Sequence, residues 1–253
     1  MTSRRTSLAI GGGAAAIAAA VHFGPAITSV MGLRRTVLRG IGGVGRPDHV
    51  ALTFDDGPDP ASTPAVMAEL DRLGWRATFF LLAPNARAAP GLVRELVAAG
   101  HEVGVHGERH RSHLTRHGLD SLADIRRGRD TVAELAGVSP QWFRPPYGAL
   151  SAGALLAARQ LGLRTVLWTT WGRDWRAEAT PSSVAADVLG GLAPGGCVLL
   201  HDSDCTSAPG SWRSGLGALP LLADAFAERG LSVGPLGEHD VRPSSVFWPV
   251  GAA

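Results

Sequence analysis

The chain has 253 residues, of which 45% are hydrophobic, 24 are basic and 22 are acidic. This length and apolar content favour one domain with a sizeable core, and a single α/β barrel commonly fills such a length. Because every basic residue is arginine, a lysine Schiff base is excluded. Six of the arginines lie in residues 1–47, which hold no acidic residue, so residues 48–253 carry 18 basic against 22 acidic groups, a net charge of −4 that argues against a nucleic-acid-binding protein.

The first 47 residues differ in composition from the rest. Arg4 and Arg5 precede an uncharged run, residues 7–33, that is rich in alanine and glycine. This pattern is typical of an export signal or an N-terminal membrane anchor, and the arginine pair is similar to a twin-arginine signal. Ala18-Ala19-Ala20 favours cleavage, whereas the long uncharged run favours retention in the membrane. The alternative is a buried helix of the soluble fold.

From residue 49 onward, short β-rich runs alternate with helical patterns. The predicted strands are 49–54, 77–82, 102–105, 142–144, 165–169, 197–201 and 231–233. The predicted helices are 63–73, 90–99, 120–136, 151–161, 181–192 and 216–229. Seven strands with a helix in nearly every gap predict a parallel sheet that is closed, or nearly closed, into a barrel.

Polar residues recur where these strands end. Asp55 and Asp56 follow the first strand, and His106 follows the third. Arg144 ends the fourth strand, Asp174 lies just past the fifth and His201 ends the sixth. Because the C-terminal ends of barrel strands open onto one face, we expect these side chains to converge there.

Two adjacent carboxylates and two imidazoles, His106 and His110, supply a cation site with one acid left over. A mononuclear zinc-type site needs about three protein ligands and an open position for water, and mixed nitrogen and oxygen donors suit it. Asp55 and Asp56 cannot both point the same way from an extended backbone, so one can bind the metal while the other acts as a base. Each motif alone is also compatible with a turn or an ordinary histidine, but their joint occurrence favours metal-assisted hydrolysis.

Five segments, in order and spacing, resemble the motifs of the polysaccharide deacetylases, carbohydrate esterase family 4, also described as a nodulation-type deacetylase homology domain. They are Thr53-Phe54-Asp55-Asp56-Gly57-Pro58, the pair His106 and His110, Arg144-Pro145-Pro146-Tyr147, Asp174-Trp175, and Leu199-Leu200-His201. The resemblance covers roughly residues 50–236. It implies a distorted (β/α)7–8 barrel as a single catalytic domain, residues 48–240, between the apolar leader with its linker (1–47) and a C-terminal tail (241–253).

The resemblance also implies a reaction, the removal of acetyl groups from a sugar by attack of metal-bound water. It makes Asp56, His106 and His110 the ligands of one divalent ion, with zinc as first choice, and Asp55 the general base. The family pattern departs here at residue 107, where glycine replaces the usual serine or threonine, so a hydrogen bond that supports the metal site is expected to be missing.

The remaining motifs supply the other catalytic groups. By resemblance, Arg144 pairs with Asp55 and favours its ionised form, and the backbone N–H of Tyr147 faces the developing oxyanion. His201 is the expected general acid, with Asp174 holding its imidazole. The family often has an aspartate where Trp171 stands, so one support of Arg144 is expected to be absent or supplied elsewhere. In the same pattern, Leu199 lines the pocket for the acetyl methyl group.

Other aromatic, histidine and cysteine residues receive weaker interpretations. Trp171, Trp175 and Trp212 are predicted to present flat faces to sugar rings. The residues assigned to core packing are Trp75, Trp142 and Trp168, and Phe247-Trp248 is expected to dock on the barrel. The histidines interpreted as surface residues are His101, His113, His117 and His239. A disulfide between Cys197 and Cys205 stays open, because it requires a tight return of the chain.

These observations predict an exported enzyme, membrane-anchored through residues 7–33 or secreted to the cell wall. The expected substrate is an N-acetylated glycan, either peptidoglycan or a chitin-like oligomer. Two alternatives remain: an O-acetyl xylan esterase or small-amide hydrolase on the same scaffold, and a catalytically weak glycan-binding module. The complete set of metal and catalytic residues argues against the binding module.

Overall fold

The computed structural model describes residues 18–241. Its strands are β1 (His49–Asp55), β2 (Thr78–Leu82), β3 (Glu102–Gly107), β4 (Trp142–Phe143), β5 (Arg164–Thr165), β6 (Thr170–Trp171), β7 (Cys197–His201) and β8 (Ser232–Gly234). Its helices are α1 (Met31–Thr36), α2 (Arg39–Gly42), α3 (Thr63–Arg72), α4 (Ala83–Ala88), α5 (Pro90–Ala98), α6 (Gly118–Ala136), α7 (Ala152–Gln160), α8 (Pro181–Gly191) and α9 (Trp212–Glu228). This alternation confirms the predicted α/β class.

The strands form one parallel sheet in the order β5-β4-β3-β2-β1-β7-β6, and β8 pairs with the first residues of β1. β5 and β6 lie at opposite ends of this order, although only residues 166–169 separate them in the chain. So short a connection requires the sheet to curl until its two ends approach each other. The expectation of a distorted barrel is therefore confirmed.

The core occupies both faces of the curled sheet. All seven residues of β1 are buried, as in a parallel strand that is covered on both sides. Neighbouring residues point to opposite faces, so Phe79 stacks on Phe54 in one apolar cluster while Phe80 joins Phe143 in another. This packing fixes the strand register, which places Asp55 beside His201 in the β1–β7 pair.

The predicted strand 165–169 is wrong in extent, because the structure has two-residue strands at 164–165 and 170–171 with an irregular segment between them. We call residues 166–169 the seam of the barrel. Leu167 donates its N–H to the Ile41 carbonyl (2.6 Å), and Thr169 donates to the Cys197 carbonyl (2.9 Å). These partners come from different parts of the chain, so the segment forms no regular ladder.

Part of the predicted leader and linker packs against this seam. Thr28, Arg34 and Ile41 are buried, so the folded body extends N-terminal of the predicted boundary after Pro47. The physical reason is that the gap between β5 and β6 would otherwise leave buried backbone groups without partners. Residues 1–17 and 242–253, including Phe247-Trp248, lie outside the described residues. Among residues 18–241, no helix has both the length and the hydropathy that a membrane crossing requires.

Three of the four histidines assigned to the surface are buried. His101 accepts a hydrogen bond from the Ala77 N–H (3.3 Å), and His113 Nδ1 bonds to the Ser121 hydroxyl (3.0 Å). His239 Nε2 donates to the Gly195 carbonyl (3.0 Å), and its Nδ1 lies 2.7 Å from Nδ1 of the buried His49. These hydrogen bonds offset part of the cost of burying the three imidazoles. Those of His101 and His239 involve residues distant in the chain, so the sequence around each histidine did not predict its burial. His117 is exposed, as predicted.

Candidate metal centre and active site

Asp56, His106 and His110 direct one donor atom each to a common point. Asp56 Oδ1 lies 3.4 Å from Nε2 of each histidine, and the three donor atoms lie within 4.8 Å of one another. Asp56 Oδ1 is buried and accepts no hydrogen bond from the described residues. A buried carboxylate oxygen without a donor is costly, and a divalent cation between these atoms would remove that cost. The donor set therefore fits a mononuclear metal site of the zinc type.

Asp56 differs from its neighbour Asp55 in backbone conformation. Its φ of 78° lies in the left-handed region, which aspartate tolerates better than most residues. Burial alone would raise the pKa of Asp56, but the neighbouring imidazole of His106, with His201 and His110, lowers it well below its usual value. Asp56 is thus ionised at neutral pH, the form that a metal ligand requires.

The tautomer of His106 follows from its other contact. Its Nδ1 lies 2.9 Å from the Arg144 carbonyl, which only accepts, so Nδ1 carries the proton and the Nε2 lone pair faces Asp56. Burial lowers the pKa of His106, whereas the charges of Asp55 and Asp56 raise it above its usual value. A cation would bind at this Nε2 lone pair, while Nδ1 keeps its proton on the Arg144 carbonyl.

His110 reaches the site from a loop and not from a helix. β3 ends at Gly107 with a φ of 118°, a conformation that favours glycine, and a Cβ at this position would lie 2.9 Å from Asp124 Oδ2. Asp124 accepts from the Glu108 N–H (3.1 Å) and pairs with Arg116 (2.9 Å). The loop that follows Gly107 is therefore braced by a carboxylate from α6, where the family motif led us to expect a hydroxyl at residue 107.

Asp55 and Arg144 form a buried ion pair with an Nη1 to Oδ1 distance of 2.7 Å. Arg144 also donates to the Thr53 hydroxyl (2.8 Å) and the Leu167 carbonyl (2.8 Å), and its guanidinium lies 4.0 Å from the centre of the Phe80 ring. A buried charge is tolerated only when it is paired and hydrogen-bonded in this way. Thr53 and the Leu167 carbonyl supply support for Arg144 where Trp171 replaces the aspartate of the motif.

His201 is held by Asp174 at two points. Asp174 Oδ1 lies 2.8 Å from His201 Nδ1, and Oδ2 accepts from the His201 backbone N–H at 2.7 Å. Burial lowers the pKa of His201, but the charge and hydrogen bond of Asp174, together with Asp56 and Asp55, raise it to about 9. His201 is therefore protonated at neutral pH, so it can donate a proton.

These groups share a cleft of about 260 Å³. Its lining comprises Asp55, Asp56, His106, His110, Tyr147, Trp168, Trp171, Trp175, Leu199, His201, Thr206 and Ser207. Trp171 and Trp175 line this cleft, with ring centroids 5.1 Å apart. Tyr147 is 66% exposed and has a φ of 61°, and its ring lies edge-on to His110 with centroids 4.4 Å apart.

Trp212 does not line this cleft; it is buried at the start of α9, with the Arg213 guanidinium 4.4 Å from its ring centre. Its predicted position at the rim is wrong, because the helix that follows β7 begins at residue 212 and turns this ring into the body. Conversely, Trp168 was assigned to the core and is only 4% exposed, yet it forms part of the cleft wall. Cys197 and Cys205 are both free thiols.

Asp56 also accepts hydrogen bonds from residues that no sequence motif marked. The Thr206 hydroxyl donates to Asp56 Oδ2 (2.6 Å), and Asn85 Nδ2 donates to the Asp56 carbonyl (2.7 Å). The Thr206 bond leaves Oδ1 to face the two histidines. Because Thr206 lies 150 residues from Asp56 along the chain, the only available signal was its place in the polar loop after His201.

Comparison with known proteins identifies the family. A sequence model described as "Polysaccharide deacetylase" matches residues 42–166. A chitooligosaccharide deacetylase from Bradyrhizobium sp. is 34% identical over 209 residues, 79% of this chain and 94% of the relative. A peptidoglycan-N-acetylglucosamine deacetylase from Bacillus cereus is 34% identical over 168 residues, 66% of this chain, and the chain spans only 58% of that relative's length.

The structural comparison agrees. The family 4 carbohydrate esterase from Streptomyces lividans, solved in complex with acetate, superposes with a TM-score of 0.67 at 30% identity. The superposition covers 78% of this chain and 97% of the esterase. Sequence and fold thus lead to the same assignment: the chain belongs to the polysaccharide deacetylase family.

Proposed function

We propose that the chain is a metal-dependent hydrolase that removes acetyl groups from an N-acetylated polysaccharide, either peptidoglycan or a chitin-like glycan. The observation that carries this proposal is the buried Asp56 Oδ1, which faces two histidine Nε2 atoms beside a second carboxylate, Asp55, held by Arg144. Relatives named as deacetylases of both glycan types support the substrate class.

In the proposed reaction, Asp56, His106 and His110 hold one divalent cation, with zinc as first choice because of the mixed nitrogen and oxygen donors. When bound, the cation supplies activation of water and polarisation of the acetyl carbonyl. Asp55 is the proposed general base. Its Oδ1 is occupied by Arg144, whereas its Oδ2 lies 3.8 Å from His106 Nε2 and faces the ligand cluster, where it can accept a proton.

His201 is the proposed general acid for the leaving amine, and Asp174 keeps it protonated and oriented. The backbone N–H of Tyr147 is proposed to stabilise negative charge on the acetyl oxygen. Leu199 would contact the acetyl methyl group, and Trp171 and Trp175 would contact sugar rings, since all three line the same cleft.

Polymeric N-acetylated glycans such as peptidoglycan lie outside the cytoplasm, so we propose that the protein is exported. Residues 1–47 would hold an export signal or anchor. The C-terminal part of this segment packs on the catalytic unit, which we propose continues to residue 240. Membrane anchoring and release to the cell wall are the two proposed outcomes, and because Thr28 is buried in the folded body, an anchor could not extend through residue 33.

The test measures acetate released by the full chain from N-acetylglucosamine oligomers, peptidoglycan and acetylated xylan. Asp55→Asn should bind zinc with unchanged stoichiometry but lose roughly 10²-fold or more in kcat/KM, because the proton acceptor is removed. His106→Ala should lose both zinc and activity, and His117→Ala, an exposed control, should lose neither. Near-normal turnover in Asp55→Asn would refute the base assignment, and release from xylan alone would redirect the proposal to an ester substrate.

A further inference from the structure

Three consecutive carbonyl groups of the seam are each bound by an arginine. The Leu167 carbonyl accepts from Arg144 Nη2 (2.8 Å), and the Trp168 carbonyl accepts from Arg34 Nη1 (3.4 Å). The Thr169 carbonyl accepts from both Nε (3.0 Å) and Nη2 (2.8 Å) of Arg35. Where a closed barrel would have strand partners, this chain uses guanidinium groups, and two of the three come from α1, N-terminal of the family match.

Arg34 is the more deeply placed of the two α1 arginines. It is 3% exposed, its Nε donates to the Thr28 carbonyl, and its guanidinium lies 4.5 Å from the centre of the Trp168 ring. Burial and the charge of Arg144 lower the pKa of Arg34 to about 10, so it remains cationic at neutral pH. A guanidinium over an indole is a favourable cation–π contact.

The indole N–H of Trp168 is buried and donates to no group in the described part of the chain. The ring is therefore held by its contacts with Arg34, Arg144 and Trp171 and by the close approach of Gly148. A Cβ at residue 148 would lie 2.8 Å from the Trp168 ring and 3.2 Å from Arg34 Nη2. Arg34 thus contacts both the cleft wall and the turn that carries Tyr147.

We propose that Arg34 and Arg35 are positioning residues of the active site. By binding the carbonyls of Trp168 and Thr169, the segment 31–36 closes the barrel seam and fixes the Trp168 ring in the wall of the metal cleft. The N-terminal segment is then part of the catalytic unit. Cleavage of a leader at Ala18-Ala19-Ala20 would leave Arg34 and Arg35 in the protein, whereas cleavage after Arg35 would remove both. The kinetic arm of the test rests on the proposed deacetylase function, and the spectroscopic arm does not.

The test compares full-length Arg34→Met, which keeps the aliphatic stem, with Arg34→Lys and with Arg39→Met, a control at an exposed arginine of the next helix, α2. Zinc affinity, kcat and KM are measured for each. Labelling with 5-fluorotryptophan gives separate 19F resonances, and Trp168→Phe identifies the Trp168 signal. This signal reports the environment of the ring whether or not a substrate is known.

Arg34→Met should shift the Trp168 resonance and lower kcat/KM roughly tenfold through displaced cleft geometry, with zinc affinity within about twofold because no metal ligand is touched. Arg34→Lys should shift the resonance as well, since an ammonium cannot reproduce the planar stacking, and it serves as the test if Arg34→Met does not fold. Arg39→Met should change neither readout. An unshifted resonance with normal kinetics would overturn the proposal, as would an exported chain whose N-terminus lies after Arg35. If the Arg34 variants shift the Trp168 resonance but the wild-type protein releases no acetate, the positioning role of Arg34 is supported and the deacetylase function is rejected.

Discussion

Asp55 and Asp56 are neighbours in the chain but have different environments. Asp55 closes β1 and pairs with Arg144, whereas Asp56 turns into the left-handed region and faces the two histidines. The different backbone conformations send the two carboxylates in different directions, which allows one to be a ligand and the other a base. Strained conformations of this kind are found at functional sites, where the surrounding structure holds them in place.

The clearest test at the scale of a single residue concerns Asp174. The carboxylate of Asp174 raises the pKa of His201 to about 9 against the effect of burial. If protonated His201 is the acid, kcat/KM of the wild type should fall on the alkaline side, as pH rises through the pKa of His201. Asp174→Asn removes the charge, so this alkaline limb should move to lower pH by roughly one unit or more. A limb that stays in place, with zinc affinity unchanged, would show that His201 is not the titrating acid.

Among the elements, the contact between α6 and β3 positions the loop after Gly107, which carries His110. A Cβ on Gly128 of α6 would lie 2.9 Å from the carbonyl carbon of Gly107 and 3.0 Å from Val105 Cγ1. The helix can approach the strand this closely only because residue 128 has no side chain. Since Gly107 separates His106 from the loop that bears His110, this helix sets the distance between the two imidazoles.

Gly128→Ala should therefore lower the melting temperature and weaken zinc binding, although alanine favours helix by about 1 kcal/mol. The matched control is Gly190→Ala in α8, where a Cβ would meet no atom within 4 Å. That control should leave zinc affinity unchanged and raise the melting temperature slightly. Calorimetry and zinc titration measure both quantities, and equal behaviour of the two variants would contradict the close-packing argument.

At the scale of the whole molecule, buried titratable groups set the dependence of stability on pH. Burial lowers the pKa of His101, His113 and His239 to about 4. An unfolded histidine has a pKa near 6.5, so each contributes stability that is present above pH 6.5 and is lost as pH falls toward 4. Burial raises the pKa of Asp202 to about 7, which opposes this loss over the same range. His201, whose pKa is raised, contributes stability that is lost between pH 6.5 and about 9.

Between pH 6.5 and 4, the stability lost through the three histidines exceeds the stability gained through Asp202. The melting temperature of the metal-free chain should therefore be highest near neutral pH and fall between about 6.5 and 4. His239→Gln should reduce the slope on the acid side, because one depressed histidine pKa is removed. The exposed His117→Gln is the control and should keep the wild-type slope. Identical slopes in all three proteins would show that His239 is not protected from protonation in the folded state.

From residue 49 onward, the sequence by itself determined most of the order of strands and helices, apart from the divided strand at 164–171, and the positions of most candidate site residues. Hydrophobic periodicity is local, and the ends of parallel strands share one edge, so Asp55, His106 and His201 could be placed together without coordinates. The short helix α4 was missed because its six residues, one of them proline, give too brief a pattern.

Only the tertiary structure decided which side chains complete the site. Arg34 contacts the Trp168 carbonyl across 134 residues, and Thr206 reaches Asp56 across 150. The burial of His239 and the inward turn of Trp212 likewise depend on neighbours that are distant in the chain. Such contacts depend on how the sheet curls and on which residues pack against its seam, and the spacing of residues along the sequence predicts neither.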